Sequence, residues 1–475
     1  MITKTAWKNV WRNKVRSLVV IFSVTIGIFA GVFAVGVMNG AIDQRADEIF
    51  DNEIAHIQVS HKDFRSNNDL ACFFGNVDSL KAYISAMEEV EAVCDRLFVT
   101  GMANTARKSA GVNIIGIDPL VEKQIFGLHR ELEPGTGDYF GEPEREELAY
   151  IGFDLAKNLN IIRYEINDGI SENLRAAGLP GEILTGISRF SGKRFNNERS
   201  FKKAMRSVLS PEEEKKYGRL ILEQSQIIRD RSRFTLTFID INNHQTGGVF
   251  RLGGIYNIPN SMFESTNIFV QDRILRRLVE LPENTAHKII IRLKDVDDTR
   301  AVSRSLRSDL PGLEVLNWKE IQPDMAMMTD MAEAMYGFFM ALILAALAFG
   351  IVNTMLMVVL ERTKELGMLT AIGMNKRKVF RMIMTESVFL SLCGGVLGMI
   401  VSWIIIRITS TRGINFGSMQ EGFEAMGFSS HIYPDIGLDF FLIVTALIII
   451  TGVLSSVYPA FKALKLDPAE ALRTE

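Results

Sequence analysis

The chain has 475 residues, with 53 Lys plus Arg against 56 Asp plus Glu, and 47% of it is hydrophobic. A formal net charge of −3 gives no general attraction to nucleic acid, which calls for a strongly basic surface. Three cysteines are too few for a disulfide-built scaffold, so the uneven spread of apolar residues is the informative feature.

Residues 1–16 carry Lys4, Lys8, Arg12, Lys14 and Arg16. Within "TAWKNVWRNKVRS", Trp7, Val10, Trp11 and Val15 recur at roughly helical spacing opposite the basic residues. That is the pattern of a helix lying in a membrane surface. The uncharged run Ser17 to Met38 follows. A cleaved secretory signal has an apolar stretch of only about 7–15 residues, so this longer run reads as an uncleaved anchor, transmembrane helix 1 at 17–38.

Residues 39–333 form one long segment. Strand-like runs are "AHIQVS", "GVNIIGI", "FTLTFID", "VFRLGGIY" and "HKIIIRL", rich in β-branched residues. Helical patterns are "VDSLKAYISAMEEVEAV", "VQDRILRRLVE" and "DDTRAVSRSLRSDL". An α+β domain of two subdomains is expected, one discontinuous and the other inserted near 150–250. Residues 189–233 hold thirteen Lys or Arg and six acids. A solvated helical face, or a docking surface for acidic partners or lipid headgroups, would both carry such a bias. Cys72 and Cys94 lie in this segment, where a bridge or two free thiols are both open.

Three more uncharged runs follow: Ala334 to Leu360, Ser387 to Ile406 and Phe440 to Phe461. Each run can cross roughly 30 Å of hydrocarbon as a helix. They give spans at 334–360, 387–406 and 440–461. Between the second and third lies 361–386, and between the third and fourth a short loop, 407–439; residues 462–475 are the tail. Asn353, alone and polar within span two, should find a hydrogen-bond partner on another helix. Gly27 with Gly31, Gly36 with Gly40, and Gly394 with Gly398 are each four apart, a spacing that lets membrane helices approach closely, within a chain or across a dimer seam.

Lys and Arg crowd the leader, the 361–386 stretch and the tail, whereas 407–439 has only Arg407 and Arg412. Positive loops stay inside. Both termini and 361–386 are therefore expected in the cytoplasm and 39–333 outside.

No catalytic constellation emerges. "GISRFSGKRF" at Gly186 to Phe195 is one residue too long for a phosphate-cradling G-x-x-x-x-G-K-[ST], and Arg194 stands where the magnesium-binding hydroxyl belongs. H-E-x-x-H, G-x-S-x-G and C-x-x-C are all missing from the sequence, and His56 and His61 read as surface residues. No cofactor or metal is expected on this chain.

In "ERTKELGMLTAIGMNKRKVF", from Glu361 to Phe380, Leu366, Leu369 and Ile372 with Thr370, Ala371 and Gly373 can form one apolar, low-relief face, with Arg362, Lys364 and Glu365 on the other side. Gly367 weakens a helix by about 1 kcal/mol relative to Ala, which suits close backbone approach, and Gly373 stands where a helix ends in the left-handed conformation. The expected product is a short cytoplasmic helix held between two spans, resting on lipid or docked by a cytoplasmic partner.

"ERTKELGMLTAIGMNKRKVFRMIMTES" closely resembles the signature of FtsX/MacB-type (type VII) ABC transporter permeases. "AWKNVWRNKVRSLVVIFSVTIGI" and "YPAFKALKLDPAEALR" are similar to that family's two ends, and "AHIQVSHKDF" and "NWKEIQPDMAMM" to its lipoprotein-releasing, LolC/LolE-like permeases. The resemblance implies four transmembrane helices and a periplasmic domain of porter-like and Sabre-like subdomains, in a bacterial inner membrane. It implies a non-enzymatic permease working by mechanotransmission. ATP and its magnesium would sit in a separate ATPase subunit, present in two copies, beside a second permease in a homo- or heterodimer. The ATPase dock would comprise Glu365, Leu366, Gly367, Leu369, Thr370, Ile372, Gly373 and Met374.

Met328, Met331 and Met335 recur on one helical face, extended by Phe338, Phe339 and Leu342. Methionine suits surfaces that accept varied apolar partners. Ordinary helix packing explains such a stripe too. With the resemblance, the stripe is expected to form one wall of a lipid-facing cleft for acyl chains, with Val32, Val35 and Met38 as the other. The implied function is extraction of lipoproteins, handed to a periplasmic carrier or adaptor, for outer-membrane sorting. The alternatives are MacB-like efflux of amphiphilic compounds or peptides, and FtsX-like signalling to a periplasmic hydrolase.

Overall fold

The computed structural model describes residues 2–140, 147–228, 232–372 and 374–464. The chain forms two compact units, one of residues 1–45, 327–420 and 429–475, the other of residues 46–326 and 421–428.

The first unit is built from α1 (Ile2–Val10), α2 (Lys14–Glu48), α3 (Pro323–Glu361), α4 (Thr363–Ala371), α5 (Lys376–Arg412) and α6 (Leu438–Leu464). Helices α2, α3, α5 and α6 are long and apolar enough to cross a membrane. Their ends differ from the sequence expectation. Helix α2 has 35 residues and α3 has 39, about 52 and 58 Å at 1.5 Å per residue. Both outrun a hydrocarbon core of about 30 Å. An uncharged run marks the part that lipid requires to be apolar; a helix need not stop there, because polar residues such as the exposed Asp43 extend it. Pro323 opens α3, its fixed φ suited to a first turn. Helix α5 starts eleven residues before its uncharged run, where the Asn375 side chain accepts from the Arg377 N–H at 2.9 Å.

The small residues serve packing within the chain. A Cβ on Gly394 would lie 2.8 Å from the Ile21 carbonyl, and one on Gly398 2.8 Å from that of Thr25, so α5 lies against the α2 backbone. The Thr25 hydroxyl donates to the Gly394 carbonyl at 3.1 Å. Gly27 and Gly31 face Leu347 and Met340 of α3. The C-terminal end of α2 is fastened to the loop before α6: the Asp435 N–H donates to the Gly36 carbonyl at 3.1 Å, and the Gln44 amide accepts from Tyr433 N–H and donates to the His431 carbonyl. Asn353 departs from expectation. It is exposed on α3 and makes no side-chain hydrogen bond among the described residues.

The second unit centres on a sheet of β1 (Ile57–His61), β2 (Val90–Asn104), β3 (Ser109–Ile117), β4 (Leu148–Gly152), β5 (Arg233–Ile239), β6 (Gln245–Tyr256), β7 (Asn267–Gln271), β8 (Lys288–Leu293) and β9 (Leu313–Asn317), in the order β9-β1-β8-β2-β3-β7-β4-β6-β5. One edge of β2 pairs with β8 over Val90–Arg96, then with β5 over Gly101–Asn104, linking distant strands of the order. Gly101 marks the change of partner: a Cβ there would lie 2.6 Å from the Thr237 carbonyl. The helical reading of "VDSLKAYISAMEEVEAV" holds only to Ser85; its β-branched end opens β2.

Residues 153–228 add short helices and a three-stranded sheet between β4 and β5. Their apolar side chains, among them Leu155, Ile170, Ile183 and Phe201, join one cluster with Leu97, Ile151, Leu236 and Phe250 of the large sheet. Insert and sheet thus share a core. Many basic residues of the insert face acids: Lys202 with Glu198, Arg206 with Glu214, Arg219 with Glu223 and Arg194 with Glu165. Cys72 and Cys94 are free thiols; Cys94 is buried. The buried Arg96–Glu122 pair pins β2 to the helix Pro119–Ile125, the guanidinium 3.9 Å from the Phe126 ring centroid.

Candidate functional site

Helix α4 is separated from α3 by the single residue Arg362. The Arg362 N–H still donates to the Val358 carbonyl at 3.1 Å, and its own carbonyl accepts from Leu366 N–H at 2.9 Å. The bend is therefore tight and keeps its backbone hydrogen bonds. Leu366 is 4% exposed and packs with Val10, Val359, Val379, Met382 and Ile383. Gly367 is buried, and Leu369 and Met374 are half-buried against the same cluster. Ile372, in contrast, is 85% exposed. The single apolar face expected from Leu366, Leu369 and Ile372 is thus divided. Successive i+3 steps drift by about 60° around a helix of 3.6 residues per turn, so Leu366 and Ile372 end about 120° apart. The outward stripe is instead Lys364, Met368 and Ile372, at i, i+4 and i+8. The Thr370 side chain and Gly373 lie outside the described residues, as does the tail 465–475.

A chain of charges crosses the end of this unit that holds α4. Glu365 takes hydrogen bonds from Arg12 and, at 3.2 Å, from Arg362 Nε. The Arg12 bond is the main reason its carboxyl titrates below the usual range, with Arg362 adding to it. Arg362 Nη1 reaches both carboxylate oxygens of Glu386 on α5, at 3.3 and 3.2 Å. Glu386 is only 4% exposed. The two ends of this chain differ in energy. An exposed pair such as Arg12–Glu365 is worth about 0.2–1 kcal/mol, whereas removing one partner of a buried pair costs about 3–5 kcal/mol. Sequence reasoning placed Arg362 only as surface charge and passed over Arg12 and Glu386. The available signal was an acid immediately before an uncharged run, where an ionisable group needs a partner.

The expected cleft is not formed by the residues proposed for it. Val32 and Val35 are buried: Val32 shares a cluster with Met340 and Leu344, and Val35 packs with Ala332 and Tyr336, while Met38 is half-buried beside them. Met328, Met331, Met335, Phe338, Phe339 and Leu342 lie exposed on α3, Phe338 to 66%. The two sets face different ways because α3 turns Ala332, Tyr336 and Met340, spaced by four, toward α2. What remains is an outward apolar stripe that also includes Met327. Among the described residues no group of three or more His, Cys, Asp or Glu is gathered to hold a metal ion.

Residues 337–468 match the family described as FtsX-like permease C-terminal. The chain is 22% identical over 235 residues to the lipoprotein-releasing system transmembrane protein LolC of Xylella fastidiosa, covering 48% of this chain and 55% of LolC. It is 29% identical over 209 residues to the macrolide export ATP-binding/permease protein MacB of Bdellovibrio bacteriovorus, covering 40% of this chain and 29% of MacB. The chain thus spans about half the length of the one relative and under a third of the other. Among solved structures it is similar to the extracellular domain of the noncanonic ABC-type transporter YknZ from Gram-positive bacteria, at 10% identity and a TM-score of 0.29, covering 55% of this chain and all of that one. With four helices able to span a bilayer, this chain is a membrane protein whose residues 337–468 are similar to the FtsX-like permease C-terminal family.

Proposed function

We propose that the chain is the permease subunit of an ABC transporter that works by mechanotransmission, with ATP hydrolysed in a separate subunit that docks on α4. The observation that carries this reading is α4 itself, a short helix between two spans, within the FtsX-like match, with Lys364, Met368 and Ile372 turned outward. Helices α3 and α5 join it at either end, so a push on it reaches both spans. The clustering of Lys and Arg beside α1 and α4 supports a cytoplasmic location for this end, with residues 46–326 outside.

For cargo we propose lipoproteins, extracted from the inner membrane by two such permeases with two ATPase copies and passed to a periplasmic carrier. The likeness to LolC supports this, as does the exposed Met and Phe stripe of α3, an apolar surface suited to acyl chains. The likeness to MacB favours a second reading, export of amphiphiles. Depletion of the protein followed by membrane fractionation separates them. Lipoproteins held back in the inner membrane are the expected result. Unchanged lipoprotein sorting with heightened sensitivity to macrolides would overturn the first cargo in favour of the second.

A further inference from the structure

We infer that Arg12–Glu365 is a releasable joint that makes α1 ride with α4 and carries displacement of α4 into α2. The inference rests on the reading of α4 as the helix on which the ATPase docks.

Arg12 lies in the turn between α1 and α2. That turn is closed by its own bonds. The Arg12 N–H donates to the Asn9 carbonyl at 3.2 Å, the Ser17 N–H to Asn13 at 3.1 Å, and the Ser17 hydroxyl to Val10. A pull on the Arg12 side chain is therefore a pull on the start of α2, with little slack between. Helix α1 is also seated on the bundle: Val10 shares the cluster that holds Leu366, and the Trp7 ring meets Phe389 of α5 edge-on at 5.6 Å.

The charges are arranged so that one contact can open while the other holds. Glu365 is shared by two cations. While the pair holds, α4 takes the start of α2 with it; when α4 moves beyond the reach of the pair, Glu365 keeps Arg362, and Arg12, already exposed, returns to water. Nothing is left buried and bare, so opening is cheap. Arg362–Glu386 is different: its carboxylate is buried on α5, and parting it strands a charge. The bend thus has a fixed pin toward α5 and a releasable one toward α1 and α2.

The test uses the full chain in lipid nanodiscs, read by hydrogen exchange. In the chain alone, Arg12→Glu should raise exchange several-fold across residues 6–13, Arg12→Lys should not, and the swap R12E/E365R should restore protection. A swap that fails to restore it overturns the joint. In the complex with the co-purified ATPase, nucleotide trapping should change exchange in the polar outer turns of α2, residues 39–48. Arg12→Glu should abolish most of that change at unaltered ATPase yield, and Arg12→Lys should keep it. An undiminished change in Arg12→Glu overturns the inference. If no ATPase co-purifies with the unaltered chain, the docking reading fails instead, and the swap result still decides whether the pair joins the two helices.

Discussion

Arg362 holds Glu386 through both carboxylate oxygens, at 3.3 and 3.2 Å, where the second span bends into α4. Because Glu386 is buried, loss of either partner should be costly while loss of both is not. Arg362→Met or Glu386→Leu alone should lower stability by about 3–5 kcal/mol, and the double variant by much less. Unfolding of the purified chain in detergent measures this. Additive losses in the double variant would count against a coupled pair.

The close approach of α5 to α2 predicts a contrast between glycines. Gly398→Leu would drive a side chain into Ile28 and the Thr25 carbonyl, costing at least about 1–3 kcal/mol. Gly350 on α3 has no atom within 4 Å of an added Cβ, so Gly350→Ala should be neutral or gain up to about 1 kcal/mol. Thermal unfolding of the two variants side by side checks the direction of each.

Two buried histidines should make the second unit less stable as pH falls, a pull opposed by Glu264, whose carboxyl burial raises to about 8. His56, expected from the sequence at the surface, is buried, as is His287, and burial is the main cause that lowers each to about 4. Each ring also accepts a backbone N–H at Nδ1, from Leu293 at 3.0 Å and from Phe98 at 3.2 Å, a bond the charged ring cannot keep. Between about pH 4 and 6.5 the unfolded chain binds protons that the folded chain refuses. The contribution of these histidines is therefore complete above pH 6.5 and falls as pH drops toward 4, by up to about 3 kcal/mol each. Denaturant unfolding followed by Trp318 fluorescence, with the other tryptophans replaced by Phe, should show the contribution of His56 as a smaller loss of stability between pH 6.5 and 4 in His56→Asn than in the unaltered chain; equal losses would count against it.

The divided faces of α4 make separable predictions. Leu366→Ala opens a cavity in the bundle and should cost about 2–5 kcal/mol. Ile372→Ser removes only an exposed side chain and should change stability by less than about 0.5 kcal/mol, yet it should release the ATPase. Yield of ATPase on the purified permease, set beside the melting temperature of each variant, distinguishes the two roles. Loss of partner from Leu366→Ala alone would move the dock to the buried side.

How much of this was legible in the sequence depends on what each residue has to satisfy. The four spans were plain because hydrocarbon excludes charge over about 20 residues, and Ser17 to Met38 obeys that rule throughout. Their true ends were not, since charged residues such as Asp43 and Arg45 can prolong a helix as well as end one. The bend at Arg362 and the capped start of α5 at Asn375 follow local chemistry, and the amphipathic stretch between spans was visible. Which stripe of α4 faces inward was not, because Leu366 and Ile372 are equally apolar and only packing against Val10 and Val379 chooses between them. The cleft failed for the same reason: Val32 and Met335 carry no mark of the face to which α3 will turn. Strand β2 was missed because Asp95 and Arg96 interrupt its apolar pattern, and the partner that makes Arg96 tolerable, Glu122, lies 26 residues away.

The central claim is that α4 is a cytoplasmic lever moved by a separate ATPase. A photo-crosslinking residue at position 372 of the full-length protein in its native membrane tests it most directly, with the captured protein sequenced and cysteine labelling from each side of the membrane run in parallel. The account predicts capture of a protein carrying a G-x-x-x-x-G-K-[ST] loop, and labelling of position 372 from the cytoplasmic side alone. Labelling from the same side as position 262, or crosslinks to lipid with no nucleotide-binding protein among the products, would contradict it.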